Sequence, residues 1–202
     1  MPLPPERSTD RDAAIMALLP HVERDGWTVA ALQRASGPDA DLLFPGGTLD
    51  IIEAYCDLGD RWMEAEAAEQ NVQALRLSAR VRAIVALRFE QNRPYKCAVR
   101  RALAVLATPG HARLAALCTA RTVDGIWHAA GDTSVDFSWY TKRAILSAVY
   151  STTLLYWLQD NSLDDTSTLA FLDRRLAGVG RIGRLRRKFG GLMSRLRPAP
   201  FA

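Results

Sequence analysis

The stretch VDFSWYTKRAILSAVYSTTLLYWLQD, residues 135–160, determines how the whole chain is interpreted. It opens with charged and aromatic residues and then continues through 144–159 without a charge. A membrane-spanning helix needs about 20 apolar residues, whereas this run is shorter and carries several serines and threonines. Its large apolar side chains fall on nearly every side of a helix, which is typical of a core helix or of one between two partners. We therefore expect a central buried helix whose first two turns, 136–143, reach the surface.

The rest of the chain also has helical periodicity, and no run alternates β-branched residues as a strand would. Capping residues precede many of the apolar periods, and glycine or proline follows several of them. The sequence therefore predicts an all-α fold of about ten helices. Their expected ranges are 10–25, 28–36, a short turn of helix at 38–43, 48–70, 71–91, from behind Pro94 to the TPGHA break at 108–112, from that break to about 130, the quoted stretch, 164–178 and 181–197.

The formal net charge of the 202 residues is +4, and it is unevenly distributed. Residues 173–202 hold nine basic residues and one acid, so this segment has a net charge of +8 and the remaining chain −4. Within 181–197, apolar residues recur every three or four positions among arginines, as in helices that lie on anionic membranes. Three glycines disfavour this helix in water, so we expect it to fold on lipid or a partner. Nucleic-acid binding, docking on the body and a merely solubilising tail are the alternatives.

These observations divide the chain into a flexible N-terminus, 1–9, a helical domain, 10–178, which the resemblance described below implies is lipid-binding, and a membrane-associating helix, 179–202. The N-terminal sequence has neither the apolar core of a secretory signal nor the acid-poor composition of a transit peptide, which favours the cytoplasm. The residues expected to contact the membrane are Ile182, Arg184, Leu185, Arg187, Lys188, Phe189, Leu192 and Leu196.

No motif in the sequence indicates catalysis. The three histidines, His21, His111 and His128, lack the Glu-x-x-His pairing of a helical di-iron site. No Cys-x-x-Cys or His-x-x-x-His spacing suits zinc, and no glycine-rich phosphate loop or nucleophile elbow is present. We therefore expect no enzymatic activity, no metal and no cofactor.

The short helices expected within 10–43, followed by a long one, resemble the helix-turn-helix of tetracycline-repressor-type regulators. A recognition helix needs basic or amide side chains that reach bases and phosphates. The corresponding segment, GPDADLLFPGG, offers Asp39 and Asp41 and no basic residue, and carboxylates repel phosphates. We expect a degenerate motif without specific nucleic-acid binding. A transcriptional regulator that responds to an apolar ligand is the alternative function, and an enzyme of unknown type is the third.

Residues 123–176 closely resemble the ubiquinone-biosynthesis lipid-binding family, that of the ninth coenzyme Q accessory protein. The resemblance rests on DGIWHAAGD, DFSWYTKRA, VYSTTLL, LQD and FLDRR, and on HVERDGWTVAAL near the N-terminus. It covers nearly the whole body of the chain and is weak between 37 and 120. Where the family shows two arginines, this chain has Lys142 followed by Arg143, which keeps the charge but removes one bidentate group.

The resemblance implies a tetracycline-repressor-like fold without DNA binding or catalysis. It implies that isoprenoid lipids or quinone intermediates are bound and presented to the di-iron demethoxyubiquinone hydroxylase, at an anionic membrane that the C-terminal helix contacts. The surface for the hydroxylase would consist of Asp136, Trp139, Tyr140, Lys142 and Arg143. The residues expected to line the lipid pocket are Trp127, Ile145, Val149 and Tyr156. We expect a homodimer, formed through the last helices of the body, on the cytoplasmic face of a bacterial inner membrane.

Overall fold

The computed structural model describes residues 3–133 and 137–179. These residues form helices and turns, with no strand among them, as the sequence predicts. The α-helices in this part of the chain are α1 Thr9–Leu18, α2 Val22–Asp25, α3 Val29–Ser36, α4 Thr48–Glu69, α5 Leu77–Asn92, α6 Lys96–Leu106, α7 Ala112–Ala129, α8 Phe137–Trp157 and α9 166–179. Turns of 3-10 helix connect several of them, at Leu19–His21, Ala40–Leu43, Val72–Ala74, Arg93–Tyr95, Pro109–His111 and Leu163–Asp165.

Local side-chain chemistry explains where the N-terminal helices begin and end. The hydroxyl of Ser8 accepts a hydrogen bond from the Arg11 amide at 3.1 Å and so caps α1. Thr28 caps α3 in the same way, as the sequence predicts. Gly26 ends α2 with a φ of 73°, a backbone conformation that glycine adopts without steric cost.

The segment before α4 contains the short turn of helix expected at 38–43. It is the 3-10 turn Ala40–Leu43, and proline residues on both sides of it restrict the backbone. Thr48, predicted as the cap of α4, is instead its first residue. Gly47 occupies the capping position with a φ of 63° and has no side chain that could cap.

The helix at the centre of the fold is α4. It packs against α1, α5 and α7 and contributes residues to both apolar clusters of the core. Two glycines permit this close packing. A Cβ atom at Gly59 would lie 2.1 Å from the guanidinium of Arg88 on α5, and one at Gly125 on α7 would lie 2.7 Å from the carboxylate of Glu64. The central helix thus approaches side chains of both neighbours most closely where a residue without a Cβ stands.

The expectation that α8 is the central buried helix is wrong, since only one of its faces is covered. Leu146, Tyr150 and Trp157 are buried against the core. Outside that face, Leu155 is 58% exposed and Tyr156 is 38% exposed. An apolar pattern on all sides allows either a core position or a face for a second molecule, and the pattern alone does not distinguish them.

Candidate functional site

An apolar groove lies between α5, α7, α8 and α9. It encloses about 260 Å³, and apolar side chains line it apart from Ser78 and Lys142. Three of the predicted lipid-binding residues, Trp127, Ile145 and Val149, line it together. Ile145 and Val149 are one turn apart on α8 and therefore lie on the same face. The lining residues that were not predicted as site residues are Leu77, Ser78, Val81, Leu146, Leu176 and Val179.

The fourth predicted lipid-binding residue, Tyr156, lies apart from this groove. Its ring stacks on that of Phe171 in α9, with ring centres 4.5 Å apart and an angle of 9° between the planes. Together with the exposed Leu155, this pair forms a second apolar surface on the outer side of α8 and α9. We call it the outer face.

The end of α7 fixes the position of Trp127 in the groove. Gly131 follows the helix with a φ of 74°, and a Cβ there would lie 2.8 Å from the side-chain oxygen of Gln73. Gln73 Nε2 donates to the carbonyl of Ala129 at 2.6 Å, and Arg80 Nη1 donates to the next carbonyl at 3.1 Å. These bonds satisfy carbonyl groups that have no partner within the helix.

Acidic residues hold both basic side chains of the predicted partner surface. Lys142 Nζ lies 2.8 Å from Asp132 Oδ1 and 5.6 Å from the centre of the Trp127 ring. Arg143 Nε pairs with the buried carboxylate of Asp124. Much of their charge is therefore balanced within the chain, which the sequence pattern did not indicate.

Two aromatic side chains form the exposed part of the same surface. Tyr140 is 69% exposed, and its ring centre lies 4.8 Å from that of Trp139 in an edge arrangement. Trp139 is half-buried, with the guanidinium of Arg143 3.8 Å from its ring centre. Such a cation–π contact restrains the indole. Asp136, the remaining predicted member, lies outside the described residues.

The predicted membrane-binding residues between 182 and 196 also lie outside the described residues. In the part of the chain that is described, no single helix has the length and hydropathy of a membrane span. The segments Leu77–Leu106 and Pro109–Ala129 meet that criterion only when taken together, and by length and composition alone. The angle between the two segments is 97°.

This arrangement of helices is that of a tetracycline-repressor-type fold. The chain is similar to the crystal structure of the TetR transcriptional regulator from Nitrosomonas europaea, with a TM-score of 0.67. The match covers 84% of this chain and 97% of that one at 21% sequence identity, which confirms the predicted fold.

The sequence comparisons indicate a particular family within that fold. The COQ9 family model matches residues 112–183. The chain is 30% identical to the ubiquinone biosynthesis protein COQ9, mitochondrial, of Homo sapiens, over 84% of this chain and 57% of that protein. It is 34% identical to the Drosophila melanogaster protein of the same name, over 79% of this chain and 52% of that protein. The chain thus spans little more than half the length of these relatives, and its predicted resemblance to the COQ9 ubiquinone-biosynthesis family is confirmed.

Proposed function

We propose that this chain is a non-catalytic lipid-binding protein of ubiquinone biosynthesis, which binds isoprenoid quinone intermediates in the apolar groove. The observation that carries the proposal is the convergence of Trp127, Ile145 and Val149 on one groove in a chain similar to COQ9 proteins. A polyprenyl chain that leaves the bilayer loses its lipid contacts, and an apolar groove replaces them. At about 260 Å³ the groove holds part of such a chain.

A pair of adjacent substitutions tests the groove. Ser78→Trp places a large ring at the wall of the groove, whereas Ala79→Trp adds the same ring at an exposed neighbouring position outside it. Native mass spectrometry of the purified full chain should find isoprenoid lipid on the wild type and on Ala79→Trp, and much less on Ser78→Trp. Equal lipid occupancy in all three proteins would refute the assignment of the groove.

The same proposal includes presentation of the bound intermediate to the di-iron demethoxyubiquinone hydroxylase. The exposed ring of Tyr140 and the half-buried ring of Trp139 support it, because aromatic anchors contribute a large share of the binding energy in protein interfaces. Their position on α8 supports it too, since Lys142 of the same surface also lines the groove. The hydroxylase would therefore meet the lipid where it leaves the protein.

Substitutions in this surface test the partner. Tyr140→Ala should weaken binding of the hydroxylase by about 10- to 30-fold, the effect of an anchor worth roughly 2 kcal/mol. Trp139→Lys should abolish binding while the helical circular dichroism signal persists. Leu42→Ala, at a position 76% exposed in the N-terminal region, serves as the control. Unchanged binding by Tyr140→Ala, or unfolding of Trp139→Lys, would count against this surface.

We further propose that the protein is a homodimer that associates through the outer face, at the cytoplasmic surface of a bacterial inner membrane. The uncovered side chains of Leu155 and Tyr156 support the dimer, because a second copy would remove them from water. Leu155→Glu should convert the dimer to a monomer in light scattering. The basic segment 181–197 supports contact with the anionic lipid of a membrane. The curated relatives themselves carry mitochondrial names.

The fold itself favours one alternative, a regulator of transcription. Two features of the helix-turn-helix region argue against it. The segment in the place of a recognition helix is the four-residue turn Ala40–Leu43, and its neighbourhood presents Asp39 and Asp41. Weak DNA binding that disappears when 179–202 is removed would dismiss the regulator, whereas sequence-preferring, salt-dependent binding would establish it.

A further inference from the structure

A second, more enclosed cavity lies deeper in the molecule, between α4, α5, α6, α7 and α8. It has a volume of about 100 Å³. Apolar side chains form most of its wall, including Phe89, Leu103, Leu154 and Trp157. One charged side chain lines it as well, that of Arg88, which is only 5% exposed. A cationic group in so apolar a space requires an explanation, because its burial is costly unless its donors are bonded.

The hydrogen-bonding capacity of Arg88 is only partly used within the protein. Its Nε lies 3.3 Å from Asp60 Oδ1, an ion pair rather than a well-formed hydrogen bond. Nη2 donates to the carbonyl of Cys56 at a long 3.4 Å, and Nη1 has no hydrogen-bond partner. A buried donor without an acceptor destabilises the protein, so the cavity favours any ligand that supplies one.

The charges around Arg88 favour a neutral acceptor over an anion. Asp60 balances the guanidinium, and Thr122 Oγ1 lies 2.9 Å from each of its carboxyl oxygens. Burial raises the pKa of Asp60 to about 6, because loss of water outweighs the attraction of Arg88. A carboxylate ligand would add a further buried negative charge beside Asp60. A carbonyl oxygen accepts the free donor without that cost.

The groove and the cavity share three of their lining helices, α5, α7 and α8. On α5, Val81 lines the groove and Arg88 lines the cavity, seven residues or about 10 Å further along. On α8, the adjacent residues Val149 and Tyr150 line the groove and the cavity, respectively. A ligand with its apolar tail in the groove would thus have its head group directed toward Arg88.

We propose that Arg88 is a polar anchor that donates a hydrogen bond to a neutral carbonyl oxygen of the bound lipid, so that a quinone-type head group is held inside the protein. This inference rests on the proposed function and names the end of the ligand that enters. The cavity is smaller than the roughly 150 Å³ space known to admit benzene, so the half-buried Leu103 and Leu154 must move aside. The ring is then shielded from water until the lipid is released.

Two probes with the same tail and a six-membered ring, one with carbonyl groups and one without, test the anchor. One is a benzoquinone with a short prenyl tail, and the other is the prenylbenzene with the same tail. Isothermal titration of the full chain should show the quinone bound about 10- to 100-fold more tightly, the effect of one hydrogen bond to a charged donor. The quinone should also shift the indole resonance of Trp157, which lines the cavity and is fully buried.

The test variant combines Arg88→Met with Asp60→Asn, so that no unpaired charge stays buried. The control is Arg82→Met, which removes an arginine of the same helix that pairs with Asp173 at the surface. The double variant should bind both probes equally, and Arg82→Met should behave as wild type. Equal affinity of wild type for the two probes, or an unchanged quinone affinity in the double variant, would overturn the anchor while leaving lipid binding intact. A wild type that binds neither probe would overturn the proposed lipid binding as well.

Discussion

Replacing Gly59 by alanine tests the packing that places Arg88 beside the central helix. The new Cβ would lie 2.1 Å from Nη1 and 2.7 Å from the central carbon of the guanidinium. Ordinary contact distances are about 3.5 Å or more, so the guanidinium must move by roughly 1.5 Å. Its Nε is now 3.3 Å from Asp60 Oδ1, and such a shift breaks the buried ion pair.

The two opposing terms give the size of the effect. Breaking a buried pair costs about 3–5 kcal/mol, and alanine within a helix gains about 1 kcal/mol over glycine. We therefore expect Gly59→Ala to lower the free energy of unfolding by about 2–4 kcal/mol, a large part of the total for a domain of this size. Urea denaturation followed by circular dichroism at 222 nm measures it, provided the transition is two-state.

Two other glycines supply a graded control. A Cβ at Gly178, within α9, would meet nothing within 4 Å, so Gly178→Ala should stabilise by up to about 1 kcal/mol. A Cβ at Gly125 would meet the end of the half-buried Glu64 side chain at 2.7 Å, which can rotate away, so Gly125→Ala should change stability by about 1 kcal/mol or less. If Gly59→Ala were as stable as Gly178→Ala, the close approach of Arg88 to α4 would be refuted.

Two further predictions concern buried polar groups. Asp160 accepts hydrogen bonds from the amides of Ser162 and Thr168 at 2.8 Å, and despite its burial, which opposes the shift, these bonds lower its pKa to about 2. The stabilisation that the Asp160 carboxylate provides should be present above pH 4 and lost as the pH falls toward 2. Asp160→Asn should therefore lower the free energy of unfolding by about 2 kcal/mol at pH 7 and make stability less dependent on pH in that range. Acid titration monitored by fluorescence measures the difference. The hydroxyl of Tyr55 donates a hydrogen bond to Asn92 Oδ1 at 2.6 Å in the core. Tyr55→Phe should therefore lower the free energy of unfolding by about 1–3 kcal/mol in the same urea assay. No loss of stability would mean that water replaces the hydroxyl.

The sequence predicted the fold class because local signals and tertiary structure agree over most of the chain. Thr28 caps α3, and the breaks around Gly26 and Gly131 fall where the helices end. The first residue of α4 was not predicted. Thr48 is a good capping residue, but Gly47 occupies the capping position and Thr48 begins the helix. The order of the helices was therefore better predicted than their first residues.

The candidate site was predictable in part for the same reason. Trp127, Ile145 and Val149 share a groove because helical spacing places the latter two on one face. Nothing in the sequence around Arg88 marks it as buried, since an arginine in an amphipathic helix is usually solvated. Its burial follows from Gly59 on α4, 29 positions away in the sequence, and only the packed structure brings the two together.

The uncovered side of α8 shows what an apolar pattern on all sides can and cannot indicate. Burying this helix within one chain would require neighbours on every side, and the described neighbours, α5, α7 and α9, leave Leu155 and Tyr156 exposed. The part of the outer face that stays exposed is in contact with water in a monomer, whereas a second copy would cover it. The sequence pattern is therefore explained if the folded unit is the dimer. On this reasoning, Leu155→Glu should be tolerated by the fold of the chain and should affect only its association.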